Sequence, residues 1–405
     1  MIAEKLSVRF FRNLKSAELK LSPKLNILFG PNGSGKTNLA EALYFFAIGK
    51  SFRINQDKNT VCFGSPSASL HLDYLDSHRK HGADITLTSE GEKIIEDNGI
   101  RTPPSSFVGK YRAVLYNPDM LEIIKDGPAE RRKFLDVALC QIDPKYMDHL
   151  KRFNFALKER SKVLSNLHTA KQAAGGLIPD AEYKEYTKLI SSYNIMLAQY
   201  GGYIMMARRD YILALERYFL EFISMVYNGG FEASLSYRPS LYEGHEERLG
   251  DSKDEKTWQD VLYASILSSS DRDIAKGGLS FGPARDEIEI KYLNMSAKET
   301  ASQGQQRILV IALKYAEGMM SKERTGEDPT FILDDIMSEL DRNTQLNVTK
   351  IFSRFQTIVT TADVGYVDRI KEESGFLTDS CEGDVPKLTI TSVACGEIAA
   401  YQVKE

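Results

Sequence analysis

The sequence predicts an α/β fold drawn from both ends of the chain, with a mainly helical lobe inserted between them. Three observations predict it. A glycine-rich loop at 30–37 separates a short apolar strand from an apolar helical repeat. A second apolar strand, ending in Asp334-Asp335, returns near the other end of the chain. Between the two lies a long run of apolar residues spaced by fours and threes.

Composition sets the frame for these elements. The chain has 405 residues, enough for two or three domains with substantial cores. Its 42% apolar and 27% charged content is that of a globular protein. No apolar run approaches the roughly 20 residues of a membrane helix, so no membrane partner is expected. The opening MIAEKLSVRFF alternates like a strand and lacks signal-peptide architecture. Cys62, Cys140, Cys381 and Cys395 are scattered and form no C-x-x-C pair, which suits reduced thiols in a cytoplasmic protein. A net charge of −4 argues against a uniformly basic nucleic-acid binder but leaves room for a local basic surface.

Taken in order, Leu6, Val8 and Phe10 alternate, as do Ala17, Leu19 and Leu21, predicting an opening hairpin. Leu25, Ile27, Leu28 and Phe29 then read as a strand. They run into Gly30-Pro31-Asn32-Gly33-Ser34-Gly35-Lys36-Thr37, which fits G-x-x-x-x-G-K-[ST]. Leu39, Ala40, Leu43, Phe46 and Ala47 follow at helical spacing. Strand, loop and helix together make a phosphate cradle: glycines admit phosphate oxygens to backbone N–H groups, and the helix N-terminus adds positive potential. Lys36 is placed to reach the β/γ-phosphates of ATP, and the Thr37 hydroxyl to ligate Mg²⁺.

Strand-like runs follow at 69–75, 83–88 and 112–116, with a loop at 102–105. Helical character begins at Pro118, and Gly127-Pro128 opens a helix carrying Glu130-Arg131-Arg132-Lys133. A first long helix carries Tyr146, Leu150, Phe153, Leu157, Leu164 and Leu167, missing a beat at Arg160. A second runs from Tyr186 to Met225, about 60 Å at 1.5 Å per residue, with Gly201-Gly202 as the place for a kink. Its tyrosine stripe reads as packing surface rather than a base-stacking face. Residues 243–256 form a charged surface excursion. Strands and helices alternate again from Gly277 to about Arg369, and 387–393 reads as a last strand. Domain boundaries are therefore expected at 1–136, 137–276 and 277–405.

Phe331-Ile332-Leu333-Asp334-Asp335 is an apolar strand ending in acid, expected beside the phosphate-loop strand. Asp334 would hold Mg²⁺, and Asp335 would orient or deprotonate the attacking water. Ala301-Ser302-Gln303-Gly304-Gln305-Gln306-Arg307 precedes an amphipathic helix and resembles the L-S-G-G-Q signature of ABC ATPases. Asp334 to Asp341 (DDIMSELD) aligns without gaps onto the Walker B and D-loop of that class.

With Phe10 to Leu14, Tyr116-Asn117-Pro118-Asp119, Gly127 to Asp136 and Gly282 to Asp286, these motifs resemble the RecF family of ABC-type, SMC-related ATPases. The insertion, about 140 residues, is too short for SMC coiled coils. The resemblance implies an ABC-type P-loop head using ATP and Mg²⁺. It also implies that Ser302, Gln305 and Asp341 complete the nucleotide site of a partner chain. ATP would then drive a homodimer that clamps single-stranded, double-stranded or gapped DNA, and slow hydrolysis would release it. RecO- and RecR-like mediators and a recombinase are the implied partners. Arg131, Arg132, Lys133, Lys151, Arg152, Arg208 and Arg209 are candidate DNA-facing cations, or else solvated helix faces.

The chain departs from the pattern in places. Ala284 stands where the family commonly has histidine, and no transporter-type switch histidine follows Val359; Thr361 or Ala362 holds that place. No Q-loop glutamine is evident, and Asp335 stands where transporters carry glutamate. A non-hydrolysing SMC-like clamp and the ATPase subunit of a membrane transporter are the alternative readings.

Overall fold

The computed structural model describes residues 1–175, 178–227, 229–372, 388–394 and 397–402. Gly176, Cys381, Lys387 and Cys395 lie outside them. The strands are β1 (Ile2–Phe11), β2 (Leu14–Lys20), β3 (Leu25–Phe29), β4 (Ser67–Leu75), β5 (Lys80–Thr88), β6 (Lys93–Asp97), β7 (Ile100–Arg101) and β8 (Ala113–Tyr116). After the lobe come β9 (Ala233–Arg238), β10 (Glu287–Tyr292), β11 (Met295–Ser296), β12 (Thr330–Asp334), β13 (Thr357–Thr361), β14 (Leu388–Ala394) and β15 (Glu397–Gln402). The helices begin with α1 (Lys36–Ile48), α2 (Pro104–Phe107), α3 (Glu122–Lys125), α4 (Pro128–Ile142), α5 (Pro144–Ala173) and α6 (Asp180–Val226). They continue with α7 (Glu255–Ser268), α8 (Ser270–Lys276), α9 (Ala297–Thr300), α10 (Gln303–Thr325), α11 (Arg342–Phe352) and α12 (Val364–Glu372).

Two compact units result. The first joins Met1–Glu122, Arg217–Glu232 and Ala301–Glu405; the second joins Ile123–Glu216 and Ala233–Thr300. The boundaries expected at 136/137 and 276/277 both fall inside the second unit, because α4 packs against both α5 and β10.

In the first unit, alternation folds β1 and β2 into the expected hairpin, pairing Leu6 with Leu19 and Val8 with Ala17 on the buried face. The alternation breaks at Phe10. That residue takes a left-handed φ of 53° and turns outward, and Phe11 is buried in its place. The sheet continues antiparallel in the order β2-β1-β4-β5-β6-β7. A second sheet has the order β15-β14-β3-β13-β12-β8, parallel except for the β14–β15 pair. α1, apolar on almost every side, shares one core with residues of both sheets.

This order corrects one expectation. The acidic strand β12 is not beside the phosphate-loop strand β3, because β13 lies between them and pairs with both. β12 and the β-branched β13 are both buried along their whole length and equally suited to a central parallel position, so local sequence does not distinguish their order.

In the second unit, α5 and α6 pair with Ile190 against Leu164 and Leu167. The missing beat at Arg160 is a buried ion pair: its guanidinium donates to Asp273 at 2.9 Å and to Asn194 at 2.7 Å. α6 runs for 47 residues through Gly201 and Gly202 as one helix. Those glycines serve close packing, since a Cβ at Gly202 would lie 2.6 Å from the Gln259 backbone nitrogen of α7. The strands β11-β10-β9 form a three-stranded antiparallel sheet in the same unit. Among the described residues, no helix is long and apolar enough to cross a membrane.

Candidate nucleotide site

The loop before α1 is shaped by its glycines. Gly30 has a φ of 154°, and a Cβ there would lie 2.2 Å from the Val393 carbonyl oxygen, so only glycine lets the loop pass β14. The hairpin turn braces the loop from outside. Asn13 donates to the Gly33 carbonyl at 3.0 Å and accepts from Asn38 at 2.7 Å. Beside it, Arg12 makes a two-pronged bond to the buried Glu41 of α1, at 2.9 and 2.6 Å.

Lys36, the first residue of α1, folds its ammonium back over the loop and donates to Gly30 and Pro31 carbonyls at 2.8 and 3.0 Å. Burial lowers its pKa, against the pull of Asp335 and Asp334. Thr37 donates through Oγ1 to Asp334 Oδ1 at 3.0 Å, and Thr360 donates to the same oxygen at 2.6 Å. Burial pushes the Asp334 carboxyl up, partly offset by these two hydroxyls. A hydroxyl and a buried carboxylate form a hard oxygen donor set, of the kind Mg²⁺ takes. Ser34 Oγ is buried in the loop without a hydrogen-bond partner among the described residues, as an open phosphate cradle allows. The residues present therefore fit both a nucleotide phosphate and its cation.

Asp335 has a left-handed φ of 53° directly after this carboxylate. Its backbone N–H is held by the Thr360 carbonyl at 3.2 Å and the Thr360 hydroxyl at 3.1 Å. Such a conformation occurs at catalytic sites more often than elsewhere, and Asp tolerates it better than most residues. Thr360 thus positions both acids from the intervening strand. Sequence reasoning passed over it in favour of Thr361 and Ala362. Thr361 is also buried and accepts from the Asp363 N–H at 3.0 Å. Asn117, read from the sequence only as part of a family motif, was given no place in the site. Tyr116 pairs with Leu333, so the extended Asn117 stands level with Asp334, and its buried Oδ1 has no hydrogen-bond partner among the described residues.

The structure gathers residues 30–37, Asp334 and Asp335 into one place. Ser302, Gln305 and Asp341 instead act as caps. Ser302 Oγ accepts from the Gln305 N–H at 3.3 Å, and Gln305 Oε1 accepts from the Ser302 N–H at 2.8 Å, a capping box on α10. Asp341 caps α11, accepting from the Asn343 and Thr344 N–H groups, each at 3.1 Å.

Comparison with known proteins decides the family. The family model described as RecF/RecN/SMC N terminal domain matches residues 2–380. A DNA replication and repair protein RecF from Clostridium perfringens (strain SM101 / Type A) is 31% identical over 361 residues, spanning 89% of this chain and 92% of that relative. The chain belongs to the RecF family. A solved structure of the recombination mediator protein RecF-ATPrS in the RecFOR pathway superposes with a TM-score of 0.82 at 25% identity, covering 99% of this chain and 98% of that one. An Smc head domain from Pyrococcus furiosus superposes at 0.52 with 16% identity over 99% and 96% of the two chains, which speaks for the fold alone. The α/β, ABC-type head expected from the motifs is the fold of this RecF-family chain, and the transporter-subunit alternative falls away.

Among the expected DNA-facing cations, Arg208 is corrected: it is buried and bonded on every side. Arg131 makes a two-pronged bond to Glu287 at 2.7 and 3.0 Å, Arg132 donates to the Asp286 carbonyl, and Arg209 lies over Trp258. Lys133, Lys151 and Arg152 remain on the surface of this RecF-family lobe.

Proposed function

We propose that this RecF-family chain is a cytoplasmic, DNA-binding ATPase of recombinational repair and replication-fork maintenance. ATP with Mg²⁺ assembles two copies into a clamp on single-stranded, double-stranded or gapped DNA, and weak, DNA-stimulated hydrolysis releases it. RecO- and RecR-like mediators and a recombinase are its partners. The observation that carries the reading is the cluster of Lys36, Thr37, Asp334 and Thr360 at the mouth of the glycine loop. Lys36 would exchange its loop carbonyls for phosphate oxygens, and Thr37 and Asp334 would hold the cation, whose charge would offset that of the phosphates. Asp335 orients or deprotonates the attacking water. The family resemblance, with the relatives' names, supplies the DNA and mediator partners.

Replacing Lys36 with alanine should weaken ATP binding by roughly 10- to 100-fold, since a charge-assisted contact is lost. ATP-dependent retention on DNA should fall to the level seen without nucleotide. Calorimetric titration with ATP, and DNA binding with ATP, ADP or neither at several salt concentrations, check both; wild-type affinity in the variant would overturn the reading. ATP turnover with and without DNA separates it from the non-hydrolysing clamp.

The two-chain site has its own test. Ser302 is exposed at the N-terminus of a 23-residue helix, where N–H donors and positive potential favour a phosphate anion. Ser302→Arg should abolish the ATP-dependent dimer in sedimentation while ATP affinity stays within about twofold of wild type. Wild-type dimerisation by a variant folded by circular dichroism would remove Ser302 from the interface.

A further inference from the structure

The first unit carries an exposed aromatic and basic tip beside the loop-bracing hairpin. Phe63 is fully exposed and Phe10 is nearly half exposed. They are tied together through the backbone: the Cys62 N–H donates to the Phe10 carbonyl at 2.7 Å, and the Arg12 N–H to the Thr60 carbonyl at 2.6 Å. Phe11 bridges Val61 between these bonds. Neither Phe10 nor Phe63 stacks on another aromatic ring among the described residues.

Phe10 is not outward by default. Alternation from Leu6 and Val8 would carry it into the core, and its left-handed backbone reverses that. A bulky residue in this region is uncommon and strained, and strain of this kind collects at binding sites. The charge carried by the two segments themselves is one-sided, although Glu90 and Glu92 flank the turn that packs beside Lys58. Segments 9–16 and 56–66 hold Arg9, Arg12, Lys15 and Lys58 against a single carboxylate, Asp57. Arg12 is committed to Glu41, and Asp57 to Lys93 at 2.7 Å. Arg9, Lys15 and Lys58 are exposed, on a chain whose net charge is −4.

We propose that Phe10 and Phe63 form a stacking platform for unpaired DNA bases, with Arg9, Lys15 and Lys58 following the phosphates. Aromatic faces set among cations are how single strands are held without sequence preference. Duplex bases are already stacked, so the rings discriminate for the single-stranded part of a gap. The proposal rests on the DNA-binding reading above and names the part of the surface that meets the strand.

The test compares wild type, Phe10→Ala and Phe63→Ala on a single-stranded oligonucleotide and on a blunt duplex, with ATP. Each variant should bind the single strand roughly 5- to 100-fold more weakly. Duplex binding should change by less than about twofold. Lys58→Ala should reduce the salt slope of single-strand binding by about 0.7. Phe63→Trp should retain affinity, and its added indole fluorescence should be quenched by the oligonucleotide. Unchanged single-strand binding by both alanine variants overturns the platform while leaving the DNA reading intact. Loss of ATP-dependent dimerisation in sedimentation overturns it in favour of rings packed on a second copy. Absence of any DNA binding by wild type overturns both.

Discussion

Arg208→Ala should destabilise the second unit by about 3–5 kcal/mol, the cost of removing one partner from a buried charge cluster. The guanidinium donates to Tyr146 Oη at 2.9 Å, the Pro283 carbonyl at 2.7 Å, Asp286 Oδ2 at 3.1 Å and Asp136 Oδ1 at 2.8 Å. Asp286 is fully buried and also accepts from the Tyr237 hydroxyl and the Ser240 N–H. Alanine removes the cation bonded to that buried carboxylate, and leaves four acceptors short of a donor. Lysine cannot reproduce the fork, so Arg208→Lys should recover only part of the loss. Denaturant unfolding, followed by hydrogen exchange at α6 amides to isolate this unit, measures it. If Arg208 faced DNA instead, alanine would weaken DNA binding and leave the exchange rates unchanged.

That cluster also marks where sequence reading stops. Arg208 and Arg160 sit in helices whose charged residues are otherwise exposed or half-buried, and local pattern reads them the same way. Their carboxylates are remote in sequence: Asp273 lies 113 positions beyond Arg160 and Asp286 lies 78 beyond Arg208. No periodicity links them. The loop at 30–37 was legible for the opposite reason, since strand, glycines, lysine and helix are contiguous and each answers a local steric or electrostatic need. The hairpin and the two long helices were legible by periods of two and of four-and-three.

Strand order is a different kind of fact. β12 is a short apolar run and β13 a short β-branched one, and which of them lies next to β3 depends on the whole sheet. Missing that order hid Thr360, whose hydroxyl gains meaning only once β13 is placed against Asp334. Short polar strands such as β6, with Lys93, Glu96 and Asp97, carried too little alternation to be seen. Phe10 was misread inward because one left-handed residue shifts every later side chain by one face.

Asp335→Asn should lower single-turnover ATP hydrolysis by at least about 100-fold while ATP affinity changes little. The substitution is chosen for the backbone as much as for the charge. Asp335 sits at a φ of 53°, and asparagine is among the residues that accept the left-handed region. Both bonds from its N–H to Thr360 are main-chain donations and survive the change. Thr37 and Thr360 remain on Asp334, so the cation donors keep their arrangement. What disappears is a carboxylate able to take a proton from, or align, the attacking water. Lys36 loses the larger of the two negative charges that offset its burial and keeps that of Asp334. ATP should therefore bind and the dimer should outlast that of wild type in sedimentation, because the step that loosens it is slowed. Rapid-quench hydrolysis alongside calorimetric titration separates the two quantities. Unchanged hydrolysis would assign the water to another group. A parallel loss of ATP affinity would mean that Asp335 holds the cation with Asp334.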